Sequence, residues 1–313
     1  MTITNRKTMR VAFQGEPGAF SEAAAIQLLG ESITTVPRAT FEGMFRAIAE
    51  GAADAILAPV ENSLAGSVVR VFDLLLESRL AIVAETILPI EMQLIALPGA
   101  SLKDIRSVAS HPMALAQCER FFAAHPNWKR VPAEDTAGSV REAISAGDKS
   151  RAAIAGRRAA EHYRAVILAE RIQDNTENFT RFVLLVEAEP GRDETCDTAK
   201  AGRFASPGVA DLMVELRIRQ MEQSVSPPAL KMSLAMRLAH RPGSLLASLE
   251  PFARHGINLQ KIESRPIHGH PWEYQFFIDV EANSTAQLDA ALLDVSKATS
   301  FLRILGLYPA AQR

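Results

Sequence analysis

The sequence predicts an α/β protein: a two-lobed domain of mostly parallel strands, followed by a smaller β-α-β-β-α-β domain. Three observations carry that expectation. From residue 9 to about residue 186, short apolar runs alternate with helical patterns, which argues parallel strands with helices packed on both faces. Polar, proline-bearing stretches at 189–194 and 226–228 then interrupt the rhythm. From Lys231 onward the periodicity resumes in a different order, that of a ferredoxin-like sheet.

Residues 9–13 read as the first strand and 20–29 as an Ala-rich helix. Thr40 stands where a helix over 41–50 would be capped, with Gly51 past its end. Residues 55–60 form the next strand, and 67–78 the next helix, with Val69, Phe72, Leu75 and Leu76 along one stripe. The alternation continues through a strand at 107–109, a helix at 114–122 and a strand at 151–155, and closes on a strand at 180–187. Segments 87–97 and 177–186 are expected to cross between the lobes as a hinge, the arrangement of type II periplasmic binding proteins.

Residues 188–229 are read as a linker or insertion. Within it Leu212, Val214, Leu216 and Ile218 alternate with Glu215, Arg217 and Arg219, which suits a strand; a short helix fits as well. Beyond it, Met232, Leu234, Met236 and Leu238 alternate as a strand, and Pro242-Gly243 opens a helix to about His255. Strands at 257–264 and 272–281, a helix at 286–297 and a strand at 301–307 complete the second domain, 230–308.

Composition excludes several classes of function. At 313 residues there is room for two domains. A formal charge of −2 leaves no basic footprint for nucleic acid or an anionic membrane surface. Cys118 and Cys196 are too few for a disulfide framework or a four-ligand zinc site. Residues 1–10 are polar and lack the apolar core of a signal peptide. Glu85 and Glu91 interrupt the longest apolar stretch, well short of the ~20 residues that span a bilayer. The expectation is a soluble, cytoplasmic protein.

Four loops at strand ends open into helices: Gly15-Glu16-Pro17-Gly18-Ala19-Phe20-Ser21, Pro59-Val60-Glu61-Asn62-Ser63, Ser110-His111-Pro112 and Asp135-Thr136-Ala137-Gly138. Ligands of such sheets bind beyond the carboxyl ends of the strands, so these loops should converge on one cleft. Free N–H groups and Ser21 at the first helix start suit a carboxylate. The first loop has neither the Lys-Ser/Thr ending of a P-loop nor the third glycine of a dinucleotide fingerprint. Glu61, Asn62 and Ser63 supply polar groups, Ser110 and Thr136 supply hydroxyls, and Gln117 lies about two turns into a helix. Each alone reads equally well as a cap or a solvated loop residue. His111 reads as a base or as the anchor of its turn, and no metal-ligand spacing accompanies it. A site without metal or cofactor is expected.

Thr180-Arg181-Phe182 closes the series, within the run Ile172-Gln173-Asp174-Asn175-Thr176-Glu177-Asn178-Phe179-Thr180-Arg181-Phe182. The order and spacing of these motifs resemble prephenate dehydratases with a C-terminal ACT domain, over residues 9–187 and 230–308. The resemblance implies decarboxylating dehydration of prephenate to phenylpyruvate in phenylalanine biosynthesis. It makes Thr180 the donor to the departing hydroxyl; since an aliphatic hydroxyl is a weak acid, the proton is expected to be relayed from a water or from an acid such as Glu61. Ser21, Asn62, Ser63, Ser110, Gln117, Thr136, Arg181 and Phe182 are implied at the substrate, Arg181 either positioning a carboxylate or bracing the hinge. It further implies an L-phenylalanine site at a subunit interface of a homodimer or homotetramer, lined by Gly243, Ser244, Leu245, Glu263, Ser264, Arg265 and Pro266. His240, Ser244 and Met92 stand where Asn, Ala and His are common in the family. The competing expectations are arogenate dehydratase and a non-catalytic amino-acid-binding protein.

Overall fold

The computed structural model describes residues 8–188, 229–267 and 269–311. The inserted stretch around 212–219 and Cys196 lie outside the described residues. The chain forms two compact units: residues 1–68 with 86–182, and residues 69–85 with 183–313.

The first unit holds both lobes. In one lobe, β1 (Arg10–Gln14) lies between β2 (Thr34–Arg38) and β3 (Ala55–Asn62), parallel to each. The centre of β1, Val11 to Phe13, is fully buried, as expected of a strand covered on both faces. Helix α1 (Phe20–Leu29) follows β1, and α2 (Phe41–Ala49) follows β2. Thr40 caps α2 as expected, its hydroxyl accepting from Gly43 N at 3.0 Å.

In the second lobe a five-stranded sheet runs in the order β10 (Val166–Ala169), β6 (Gln93–Ala96), β9 (Arg151–Ala155), β7 (Ser107–Ser110), β8 (Lys129–Pro132). Strand β7 is parallel to β8 and β9, while β6 runs antiparallel to its two neighbours. Each lobe thus contains a parallel trio of one order, β1 between β2 and β3, and β7 between β8 and β9. The loops leaving the first and third strands diverge there and open a crevice.

Three features depart from the expected element list. Strands β2, β8 and β10 were not singled out by periodicity; β2 and β8 carry few buried residues, which weakens any apolar pattern. The helix expected over 114–122 is two, α4 (Pro112–Ala116) and α5 (Glu119–Ala123). Asp174 causes the break: its carboxylate accepts from Glu119 N and Arg120 N at 2.8 and 3.0 Å, and its N–H donates to Gln117 O at 2.7 Å. The crossing segment expected over 87–97 is divided between β5 (Leu80–Pro89) and β6.

In the second unit, β12 (Leu230–Arg237), α8 (Ser244–Arg254), β13 (Asn258–Ile267), β14 (His270–Ala282), α9 (Thr285–Ala298) and β15 (Phe301–Pro309) follow the predicted order. The antiparallel sheet runs β13-β14-β12-β15. Alternation along β12 sends Met232, Leu234 and Met236 into a core with Phe252, Leu288, Leu292 and Val295 of the two helices. The intervening residues form a buried polar face. Lys231 Nζ meets Glu85 Oε1 at 2.7 Å, and Arg303 donates to Leu76 O and Ser78 O at 2.8 Å each. Through these bonds α3 (Val69–Glu77) and the start of β5 belong to this unit. No helix among the described residues is long and apolar enough to cross a membrane.

Candidate active site

The first unit contains a cavity of about 320 Å³ whose lining comes from both lobes. One lobe contributes Ser21, Asn62, Asn178 and Thr180; the other contributes Met92, His111, Gln117, Glu134, Asp135 and Thr136. All four motif loops thus reach one cleft, as their positions at strand ends require.

A chain of side-chain amides organises the cavity. Asn62 Oδ1 accepts from Leu64 N and Ala65 N at 3.0 and 2.8 Å, which fixes its amide nitrogen on the other side. That nitrogen donates to Thr180 Oγ1 at 2.9 Å, Asn178 Oδ1 at 2.8 Å and Phe179 O at 3.1 Å. Asn178 then donates to Gln117 Oε1 at 3.1 Å. Thr180 Oγ1 accepts from an amide that can only donate, so its own hydrogen is left for another partner. Gln117 is oriented likewise, with its Nε2 remaining to donate. The network ends in donors at the cavity, an arrangement suited to an acceptor-rich, anionic ligand.

Three helix N-termini meet the cavity, those of α1, α4 and α6 (Thr136–Ser145), and the ends of α6 and α1 differ. The N-terminus of α6 is capped by Asp135, whose carboxylate accepts from Gly138 N at 2.6 Å. Thr136, expected at the helix start, is its first residue, and Asp135 does the capping. With Glu134 beside it, this end is acidic. The N-terminus of α1 has no side-chain cap. Its first-turn N–H groups and the Ser21 hydroxyl are the better match for a carboxylate.

Backbone geometry holds the α1 end in place. Gly18 has φ +89°, and a Cβ there would sit 2.6 Å from Ala159 Cα in α7 (Arg157–His162) of the other lobe. Gly18 N donates to Glu22 Oε2 at 2.7 Å, and Thr35 Oγ1 donates to Glu22 Oε1 at 2.8 Å. Glu22 is buried. Sequence reasoning missed it, because an acidic residue in a first helical turn reads as dipole compensation.

The remaining expected residues, His111 apart, sit outside the cavity lining. Glu61 and Asn62 are neighbours in β3, so they point to opposite faces, as do Thr180 and Arg181 in β11 (Phe179–Glu187). Glu61 and Arg181 therefore meet each other at 3.8 Å, and neither lines the cavity. Phe182 is 2% exposed and belongs to the core. Ser110 is fully buried, its hydroxyl donating to Ile154 O at 2.6 Å. Ser63 braces the loop, donating to Glu177 O at 2.8 Å and accepting from Phe179 N at 2.9 Å. His111 anchors its turn, Nδ1 accepting from Met113 N at 3.2 Å while the residue lines the cavity.

Asn178, like Glu22 and Glu134, is a residue sequence reasoning left unassigned. It stands two before Thr180, and period-2 alternation puts it on the same face. It is 2% exposed. Asn178→Ala should lower kcat by ~10-fold, because Asn62 and Gln117 each lose the partner that orients them. In a double-mutant cycle the effect should largely vanish on a Thr180→Ala background; an equal loss there would mean the role is merely structural.

Cys118 adjoins Gln117, but burial first, then Asp174 and Glu119, push its thiol up to about 12. It stays protonated and is no nucleophile at neutral pH. Among the described residues no group of three or more His, Cys, Asp or Glu side chains is placed to hold a metal ion.

Comparison with known proteins places these features in context. The sequence profile of the family described as prephenate dehydratase matches residues 11–190, and that of the ACT domain matches 232–296. Arogenate dehydratase/prephenate dehydratase 6, chloroplastic, of Arabidopsis thaliana is 38% identical, the match covering 96% of this chain and 69% of that one. A solved prephenate dehydratase in complex with L-Phe from Arthrobacter aurescens is 29% identical with a TM-score of 0.77, over 96% of this chain and 90% of that one. A solved chain described as GqqA, a novel type of quorum quenching acylases, is 31% identical with a TM-score of 0.77, over 96% and 98%.

Proposed function

Because the chain belongs to the prephenate dehydratase family and carries an ACT domain, we propose that it converts prephenate to phenylpyruvate, CO2 and water. The observation that carries this reading is the Asn62–Thr180 hydrogen bond at 2.9 Å, which leaves the Thr180 hydroxyl set to donate. In the reaction the bond to the ring carboxylate breaks, its electron pair enters the ring, and the C–O bond to the ring hydroxyl breaks. Hydroxide is a poor leaving group. A hydrogen bond from Thr180 stabilises the negative charge developing on that oxygen, and a proton completes the water.

An aliphatic hydroxyl is a weak acid, so the proton must be resupplied. Glu134 lines the cavity, and we assign it the role expected of Glu61. The uncapped end of α1, with Ser21, holds one substrate carboxylate, and Gln117 Nε2 donates to the substrate. Glu61 and Arg181 act as a brace on the opposite face.

The match to a plant arogenate dehydratase/prephenate dehydratase supports a second reading, the same chemistry on arogenate. Comparing kcat/KM on the two substrates decides between them; we expect prephenate to be preferred, and a higher value on arogenate would reverse the assignment.

Regulation by L-phenylalanine at an interface between ACT domains is proposed from the same membership and from the L-Phe complex of the Arthrobacter aurescens relative. Strand β13 is the sheet edge, with Leu259 and Ile262 exposed along it. Such an edge invites pairing with a second copy, as a homodimer or within a homotetramer. Gly243 has φ +84° just before α8, so Gly243→Val should distort this loop. That variant, or Glu263→Ala, should weaken phenylalanine inhibition while leaving uninhibited turnover largely intact. Unchanged inhibition in both would remove these residues from the effector site.

A further inference from the structure

The loop Gly15–Ser21 leaves the first lobe but is seated in the second. Ala19 packs against the core cluster that holds Val140 of α6 and Ala159 of α7. Phe20 packs against the other core cluster of that lobe, which holds Leu94, Leu115 and Ile154. The fit is close at two backbone points. A Cβ on Gly18 would lie 2.6 Å from Ala159 Cα, and a Cβ on Gly156 would lie 2.8 Å from Phe20 Cε1. The chain itself crosses between the lobes near Ile90 and near Asn178, where Ile90 N donates to Asn178 O at 2.8 Å. The loop is a further junction, held by noncovalent contacts alone. Parting the lobes there would expose more of Phe20 to water.

Two ion pairs flank this seat, each with its acid on the first lobe and its arginine on the second. Glu16 Oε2 lies 2.6 Å from Arg141 Nη1, both side chains being half-exposed. Glu22 Oε2 lies 3.6 Å from Arg158 Nε. Glu22 is buried, and Arg158 Nε is a buried donor that makes no hydrogen bond. A buried carboxylate depends on its partners to offset the loss of water. Glu22 also accepts from Gly18 N in the loop, so the Arg158 charge acts on the loop through it.

None of these four charged side chains lines the cavity, whereas Gly15, Ala19, Phe20 and Ser21 of the loop do. What fastens the loop therefore fixes where the α1 end and the Ser21 hydroxyl stand, without touching a ligand.

We propose that residues 15–21 form a clasp between the lobes, with Arg141 and Arg158 as positioning residues that hold the carboxylate-binding end of α1 at the cleft. The clasp itself rests on packing and ion pairs; its effect on turnover rests on reading the cleft as the prephenate site. Without either arginine the loop lifts more readily from the second lobe. Binding of the ground state and of the transition state then weaken alike, because both carry the carboxylate held there.

Hydrogen exchange and kinetics on Arg141→Met and Arg158→Met test it. The Gly18 and Ala19 amides donate to Glu22 Oε2 and Glu16 O. They should exchange ~3-fold faster in Arg141→Met, the scale of a half-exposed pair. In Arg158→Met they should exchange ~10-fold faster, since a buried carboxylate loses its cation. Amides at the centre of β1 should be unaffected. KM for prephenate should rise by similar factors while kcat stays within about twofold. Reversing the pair, Glu16→Arg with Arg141→Glu, should recover most of the Arg141→Met loss, which a packing defect would not. Unchanged exchange at Gly18 and Ala19 in both variants overturns the proposal, and so does faster exchange with KM unmoved or with kcat falling instead. Exchange needs no substrate, so a wild type inactive on prephenate would sink the catalytic reading while faster exchange still upheld the clasp.

Discussion

Replacing Thr180 by alanine is expected to lower kcat on prephenate by ~10²-fold or more, about 2.7 kcal/mol of transition-state stabilisation. The reason is local. Asn62 Nδ2 donates to Thr180 Oγ1 at 2.9 Å, which turns the hydroxyl hydrogen toward another acceptor. In the ground state that hydrogen gains little from the substrate hydroxyl. As the C–O bond breaks, charge grows on the leaving oxygen and the bond strengthens. KM should therefore change far less than kcat. Thr180→Ser keeps the hydroxyl and should retain more activity than Ala, though loss of the methyl group frees its rotamer. Near wild-type turnover in the alanine variant would remove Thr180 from the mechanism.

Gly18→Ala should be the most damaging single-methyl addition to the catalytic loop. Two costs combine. A left-handed φ of +89° disfavours any Cβ, and the new atom would lie 2.6 Å from Ala159 Cα, a backbone atom that cannot swing aside. Strain of ~1 kcal/mol from the dihedral and ~1–3 kcal/mol from overpacking are expected. Together they should lower Tm by roughly 5–15 °C and raise KM by displacing the start of α1. Gly51→Ala is the control. Its φ is +64°, yet nothing lies within 4 Å of the added atom, so only the dihedral cost applies. Equal destabilisation in the two variants would show that the contact with α7 is not what makes Gly18 necessary.

Much of the fold was legible because its signals are local. Buried strands such as β1 and β9 read directly from apolar runs, and the cap of α2 from Thr40. What was not legible depends on distant partners. Asp174 breaks the helix after Gln117 from more than 50 residues away, and no pattern within that helix announces it. The grouping of α3 with the C-terminal unit rests on Arg303 and Leu76, more than 200 positions apart.

The site divides along the same line. Thr180, Asn62, Gln117, Ser21 and Thr136 reach the cavity, and all but Gln117, which follows Ser110-His111-Pro112, lie in motif segments. Glu61 and Arg181 lie in the same segments, yet strand alternation sends them to the opposite face. That separation was readable in principle: adjacent strand residues cannot both face one ligand. Asn178 was missed for the converse reason, since its role is to orient two other amides.

The most direct test of the account is the fate of prephenate with the purified chain in chelator-treated buffer, followed by phenylpyruvate absorbance and released CO2. We predict one phenylpyruvate and one CO2 for each prephenate consumed, with no added metal or nucleotide, and a rate that collapses in Thr180→Ala. Prephenate left intact by the folded wild-type protein, or a Thr180→Ala variant turning over at the wild-type rate, would contradict it.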